Sequence, residues 1–295
     1  MMVYTKYFTV CGITIRVDSE LPIRPATFAS KFDLFEADGP GLDTVHIVHR
    51  FDLPCLDGDL GRQIYKKSPW VIYQKDSQWV YVLETSPDLN HKGIRQISVV
   101  NEEDSKIEIF NGELGRSAWE SGSLEVLTLS PSDQILLARI LANRSGCYLH
   151  ANGVSMDGKG YLFAGHSGTG KSTISMLLKD ECEILCDDRM ILRKWEQGFF
   201  IHGHWAHGKL PLFSNQSAPL SGIFFLEKAK ENRLIPVEKR MDIVLNLLGI
   251  LVRPLASRDW WKKMLVLVED LAYTVPCYRL RFDKTGEIFD QLKAL

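Results

Sequence analysis

The residues whose types and spacing can do chemistry lie together in the second half of the chain. Gly165, His166, Ser167, Gly168, Thr169, Gly170, Lys171, Ser172 and Thr173 read GHSGTGKST and fit the phosphate-binding pattern G-x-x-x-x-G-K-[ST] in full. In such a loop the glycine backbone turns successive N–H groups toward one point, where a polyphosphate sits. Lys171 is then expected to reach the β- and γ-phosphates, and the Ser172 hydroxyl to sit on Mg²⁺. Downstream, Asp187 and Asp188 stand side by side, and two neighbouring carboxylates can divide labour. One holds the metal and the other accepts the proton of an attacking hydroxyl. We expect Asp187 as the base and Asp188 as the metal ligand.

These groups need elements to aim them. Before the loop, residues 161–164 (YLFA) form a short apolar run of strand character; after it, STISMLLK places Ile174, Leu177 and Leu178 on one helical face. Strand, glycine turn and helix therefore follow in the order a phosphate cradle requires, with the positive end of a helix dipole at the loop. Upstream, residues 147–155 (CYLHANGVS) read as a strand, and the turn at 156–160 folds it into a hairpin that brings His150 beside the loop. Residues 183–186 (EILC) read as a strand adjacent to the phosphate loop and ending in the acid pair.

The first half has a different texture. Residues 7–17 suggest a strand pair or a strand bent at Gly12, and 45–50, 70–74, 79–84, 94–100 and 106–110 are rich in β-branched and aromatic residues. Polar turn clusters at 75–78 and 101–105 separate some of them, which argues for an antiparallel sheet. A helix is expected over 132–143, capped by Ser130 or Ser132 and stopped at Gly146. His46 and His49 fall on opposite faces of a strand and so do not share a metal. Trp70, Trp79 and Trp119 read as core or interface aromatics, with a peptide-gripping surface as the alternative. In the second half, residues 240–251 and 257–271 read as amphipathic helices, followed by a strand over 275–282 and a helix from Gly286. His202, His204 and His207 share one glycine-punctuated stretch, expected to be a substrate loop over the phosphates or a metal site, with Trp205 and Lys209 as contacts. Arg253 and Arg258 are candidate phosphate contacts.

The run from Leu149 to Arg189 resembles the catalytic core of the HPr kinase/phosphorylases, in which a His-bearing hairpin, a phosphate loop and an acidic strand end follow in this order. It is also similar to the nucleotide-binding core of the ATP-dependent phosphoenolpyruvate carboxykinases, whose loop reads GLSGTGKTT. The resemblance implies an α/β P-loop module of the carboxykinase/HPr kinase type over 146–295, preceded by a mainly antiparallel β (α+β) domain over 1–145. It implies ATP and Mg²⁺ as ligands and, for His150, a place near the transferred phosphoryl group or the metal. Thr173 stands where HPr kinases usually carry Glu, and their Arg-Gly-Leu-Gly segment is missing, which argues against HPr itself as substrate. The carboxykinases are much longer, and their substrate-gripping residues have no counterpart here.

Composition bounds the rest. The chain has 295 residues, 45% hydrophobic and 24% charged, with a formal net charge of −2, so neither nucleic acid nor an anionic membrane is an expected partner. Six cysteines without a CxxC suit free thiols, and a cytoplasmic location is expected; Cys182 and Cys186 are a remote candidate metal pair. The reading these features favour is an ATP-dependent kinase acting on a hydroxyl, most simply a serine of a peptide, protein or small molecule. A non-catalytic nucleotide-binding regulator and a carboxykinase-type lyase are the alternatives.

Overall fold

The computed structural model describes residues 3–54, 60–85, 93–166, 168–208, 210–257 and 259–295. The readings at Cys55, Ser167, Lys209 and Arg258 lie outside these residues. The chain is a mixed α/β protein that divides into two compact units, Met1–Ile140 with Pro254–Arg258, and Leu141–Arg253 with Asp259–Leu295. Among the described residues no helix is long and apolar enough to cross a membrane.

In the first unit, β1 (Tyr4–Val10), β2 (Ile13–Ser19), β3 (Glu36–Ala37), β4 (Thr44–Arg50), β5 (Arg62–Lys67), β6 (Trp70–Lys75), β7 (Gln78–Glu84), β8 (Ile94–Val100) and β9 (Lys106–Asn111) form one sheet. Its order is β3-β1-β2-β4-β9-β8-β7-β6-β5. The β1–β2 hairpin turns at Cys11 and Gly12, both at positive φ (47° and 76°), the backbone a two-residue hairpin loop needs to match strand twist. At the β8–β9 turn, the Asn101 side-chain oxygen accepts the N–H groups of Ser105 and Lys106. The sheet's pairs are antiparallel except that β4 runs parallel to both β2 and β9. Both parallel pairs are crossover connections, since β3 lies in sequence between β2 and β4 and the β5–β8 meander between β4 and β9. Trp79 and Trp119 are buried, while Trp70 is half-buried and meets Tyr81 edge-on at 6.3 Å. Helices α1 (Glu113–Ser121) and α2 (Gln134–Ala142) follow. Past α2 the left-handed residue is Ser145 (φ 51°), and Gly146, the expected stop, already opens the next strand.

The second unit comprises β10 (Gly146–Leu149), β11 (Ala151–Met156), β12 (Lys159–Ala164), α3 (Lys171–Leu178), β13 (Glu183–Cys186), β14 (Met190–Trp195), β15 (Gly198–His202), β16 (Ser217–Lys228), β17 (Arg233–Pro236), α4 (Arg240–Ile250), α5 (Trp260–Thr274), β18 (Cys277–Phe282) and α6 (Ile288–Lys293). The strand order is β10-β14-β15-β16-β12-β11-β13, with β18 joined to β16 and β17. β12, β16 and β18 are parallel; the remaining pairs are antiparallel. Apolar residues on both faces of β12 and β16 divide two cores. Phe163, Phe224 and Phe282 pack with Ile174 and Leu178 of α3 and with α6, while Leu162, Ala164 and Ile223 pack with α4 and α5. On α3 the buried positions are Lys171, Ile174, Ser175 and Leu178, a helical stripe whose two aliphatic side chains contribute about 1.5–3 kcal/mol each.

One buried titratable group of the first unit contributes to its acid response. His49 on β4 is fully buried, with Nε2 at 2.8 Å from the Leu127 carbonyl and Nδ1 at 3.2 Å from the Asn111 amide nitrogen. A carbonyl only accepts and an amide nitrogen only donates, so the ring is neutral with its proton on Nε2. Burial, opposed only by that Leu127 contact, pushes its pKa down to about 4. In the unfolded chain the ordinary value of about 6.5 holds, so on acidification the unfolded state takes up the proton first. Stability is therefore lost as pH falls from 6.5 toward 4. Between pH 7 and pH 5 the His49→Gln variant should lose about 2 kcal/mol less than wild type in denaturant unfolding; equal losses would refute this account.

Candidate active site

The glycine loop lies between β12 and α3, as the sequence requires. Gly168 and Gly170 have φ of 85° and 110°, and a Cβ on Gly170 would sit 2.7 Å from the Phe282 ring. Gly170 also precedes the first turn of α3, where no side chain caps the helix N–H groups. The Thr169 hydroxyl donates to the His166 carbonyl at 2.9 Å, which closes the loop on itself. Lys171 is buried, and its ammonium donates to the carbonyls of Gly165 (2.8 Å) and His166 (3.3 Å). Its charge therefore lies inside the loop. Burial pulls the Lys171 pKa down, aided by Arg189 and opposed by Asp188. Ser172 is exposed at the start of the helix, and Thr173 is half-buried.

His150 occupies the break between β10 and β11, not the middle of the continuous strand read from the sequence. Its N–H donates to the Ile250 carbonyl at 2.8 Å. The next residue, Ala151, is paired with Ala164, the last residue before the loop, so the hairpin does carry His150 to the loop. The acids arrive differently from the expectation. β13 is not hydrogen-bonded to β12; β11 lies between them, because the antiparallel hairpin occupies that edge of β12. The acids consequently meet His150 before the loop.

Asp188 Oδ1 lies 3.0 Å from His150 Nε2, and Arg189 Nη1 lies 2.8 Å from Asp188 Oδ2. Burial would raise the Asp188 pKa, but the His150 hydrogen bond and the charges of Arg189 and Lys171 outweigh it and hold the carboxylate below its usual range. Since a carboxylate accepts, His150 carries its hydrogen on Nε2 and presents Nδ1 as an acceptor when the ring is neutral. Asp187, expected to be the base, is only 2% exposed, and both its oxygens are engaged: Oδ1 accepts the Gly208 N–H (2.7 Å) and Oδ2 the Leu210 N–H (3.2 Å). Burial and the neighbouring Asp188 charge raise its pKa, against those two hydrogen bonds. The expected base thus has both oxygens on backbone donors, and Asp188, not Asp187, is the acid hydrogen-bonded to His150.

The three histidines downstream do not share a site. His202 ends β15, buried against Trp195, and burial pushes its pKa down to about 4 with help from Arg193. His204 is fully buried against Tyr148 and Trp205, and half-buried His207 stacks on Phe213 at 5.4 Å. Among the described residues no group of three or more His, Cys, Asp or Glu is placed to hold a metal, Cys182 and Cys186 included. Trp205 is core rather than a contact surface, and the Arg253 guanidinium lies over the Trp261 ring at 4.8 Å.

Sequence reasoning missed Asn152. It is fully buried on β11, two residues from His150, and its amide donates to the Lys171 carbonyl (2.7 Å) and the Ser175 hydroxyl (2.5 Å). A lone amide within an apolar strand beside a phosphate loop was the available signal. For Mg²⁺ the residues present are hard oxygen donors, the exposed Ser172 hydroxyl and the partly exposed Asp188 carboxylate, the donor type that ion takes.

A family model described as SynChlorMet cassette protein ScmC matches residues 120–295, more than half of the chain. No curated protein matches it. Among solved structures the chain is similar to the Hpr(Ser) kinase/phosphatase from Coxiella burnetii, at 13% identity and a TM-score of 0.30, over 50% of this chain and 90% of that one.

The loop's backbone bears a direct test. Gly170→Ala places a side chain at a φ outside the left-handed well and against Phe282, whereas Gly158→Ala, at φ 76° with nothing within 4 Å, meets only the left-handed cost. Denaturant unfolding should show a loss of about 1–2 kcal/mol for Gly158→Ala and a larger one for Gly170→Ala. Equal losses would mean that the loop relaxes freely.

Proposed function

The chain belongs to the SynChlorMet cassette protein ScmC family, and from that premise we propose that it is an ATP-dependent phosphotransferase, which moves the γ-phosphoryl group of Mg²⁺-ATP to a hydroxyl, most simply a serine of a peptide, protein or small molecule. The observation that carries the reading is the His150–Asp188 pair, whose carboxylate is near enough to the Lys171 ammonium of the glycine loop for the two charges to interact. A module that only sensed nucleotide would need the cradle but no proton acceptor beside it.

In this reading the backbone from Gly165 to Thr173 and the start of α3 hold the phosphates, and Lys171 leaves its loop carbonyls for phosphate oxygens. Ser172 and Asp188 would hold Mg²⁺, whose charge offsets that of the phosphates. His150 accepts the proton of the acceptor hydroxyl at Nδ1 as the new O–P bond forms and the bond to the ADP oxygen breaks. Asp188, hydrogen-bonded at Nε2, orients the ring and stabilises the imidazolium. Arg189 keeps Asp188 ionised.

Mg²⁺-ATP at a hundred times its Kd should stabilise the wild type by about 2.7 kcal/mol, read as a rise in Tm, and Lys171→Ala should lose most of that rise. Incubation with γ-labelled ATP and a panel of free serine and serine-bearing peptides should give labelled acceptor. Transfer should drop about 10²–10⁴-fold in His150→Ala while nucleotide binding persists. A Tm response shared equally by wild type and Lys171→Ala would overturn the nucleotide site. Binding without any transfer or hydrolysis would favour a regulator instead.

A further inference from the structure

The Asp187 carboxylate invites a role other than chemistry, and the role can be read from what lies on its far side. Gly208, whose N–H it holds, is pressed against the neighbouring acid: a Cβ on Gly208 would be 2.9 Å from Asp188 Cβ and 3.2 Å from Asp187 Oδ2. The backbone there is pinned from two further directions. Cys186 Sγ donates to the Ala206 carbonyl at 2.9 Å, and the Ser214 N–H donates to the Leu185 carbonyl at 2.9 Å. The Asp188 carboxylate faces His150 and Arg189 and is only partly exposed. The Gly208 backbone closes off one side of its Cβ.

We propose that Asp187 is a positioning residue that acts through Gly208: by holding that backbone against Asp188 it keeps the Asp188 carboxylate aimed at His150. The inference rests on the phosphotransferase reading for its kinetic consequence, but the anchoring itself does not. The side chain of the residue before the working acid thus acts as a brace, and the absence of a side chain at Gly208 is what lets the brace reach.

The test compares Asp187→Asn, Gly208→Ala, Asp188→Asn and the pairings of the first two with the third, by Mg²⁺-ATP hydrolysis with water as acceptor and by amide exchange. Asp187→Asn should lower kcat about 10-fold with KM for Mg²⁺-ATP within about 2-fold, since misaiming by a fraction of an ångström costs rate rather than nucleotide affinity. Gly208→Ala, which leaves the charge of Asp187 in place, should reproduce that split. Asp188→Asn should lower kcat about 100-fold or more, and neither other change should add to it, because both act through Asp188. Exchange at the Gly208 and Leu210 amides should quicken about 10-fold or more in Asp187→Asn. The proposal is overturned if Asp187→Asn matches Asp188→Asn in kcat while Gly208→Ala stays near wild type, which would make Asp187 itself a reacting group. It is overturned equally if those two amides exchange as in wild type. Should Asp187→Asn fail to fold, Asp187→Glu takes its place: it keeps the charge but shifts the acceptor by one methylene. It should give the same kcat loss with faster Gly208 and Leu210 exchange, whereas exchange as in wild type would overturn the proposal. A wild type that neither binds nor hydrolyses Mg²⁺-ATP would defeat the phosphotransferase reading, and the exchange of the two amides would still decide the anchor.

Discussion

The amide of Asn152 is the contact on which the geometry of the second unit's site rests. It joins β11, whose first residue follows His150, to the first turn of α3, whose first residue is Lys171. Strand and helix come from different parts of the chain, and the sheet alone would allow the helix to slide along its apolar stripe. A fully buried amide that donates to a backbone carbonyl and to a hydroxyl removes that freedom, because breaking either bond leaves a polar group stranded away from water at about 1–3 kcal/mol. One side chain that touches neither the imidazole nor the ammonium thus helps to fix the elements that carry them.

Around that clamp the site holds opposed tendencies in balance. Lys171 is depleted of water and its pKa pulled down, while Asp188 keeps its charge despite burial because Arg189, His150 and Lys171 surround it. Such arrangements are poor for stability taken singly, since each charge would be better solvated outside. They persist where a cluster of mutually dependent charges is packed by a rigid scaffold, which here is the pair of cores on either face of β12 and β16.

The sequence made much of this legible, and the reasons differ by element. The glycine loop stood out because φ above zero and close backbone approach admit few residues, so the chemistry of Gly168 and Gly170 is written in their identity. The strands 44–50, 70–75, 78–84, 94–100 and 106–111 followed from alternation and β-branching, because strand formation is largely local patterning. Strand direction and neighbours were not legible: nothing local says that β4 has two parallel partners or that β11 separates β13 from β12. The different surroundings of Asp187 and Asp188 were hidden for the same reason. Which of two adjacent carboxylates is spent on backbone depends on Gly208 and Leu210, some twenty residues away, and no pattern in the acids themselves encodes it.

The length of β16 has one more consequence. Residues 217–219 pair with β15, and those from Leu220 onward pair with β12 on one side and, from Ile223, with β18 on the other. A single unbroken strand thus belongs to both halves of the second unit's sheet, so the β10-β14-β15 half cannot peel away without drawing hydrogen bonds from β16, the strand that is paired with β12 before the glycine loop. Local opening is costly in such a layout, and fluctuations spread along the shared backbone instead of stopping at a seam. The layout favours melting of the two halves as one cooperative block, with the glycine loop after β12 inside it and not at a loosely held margin.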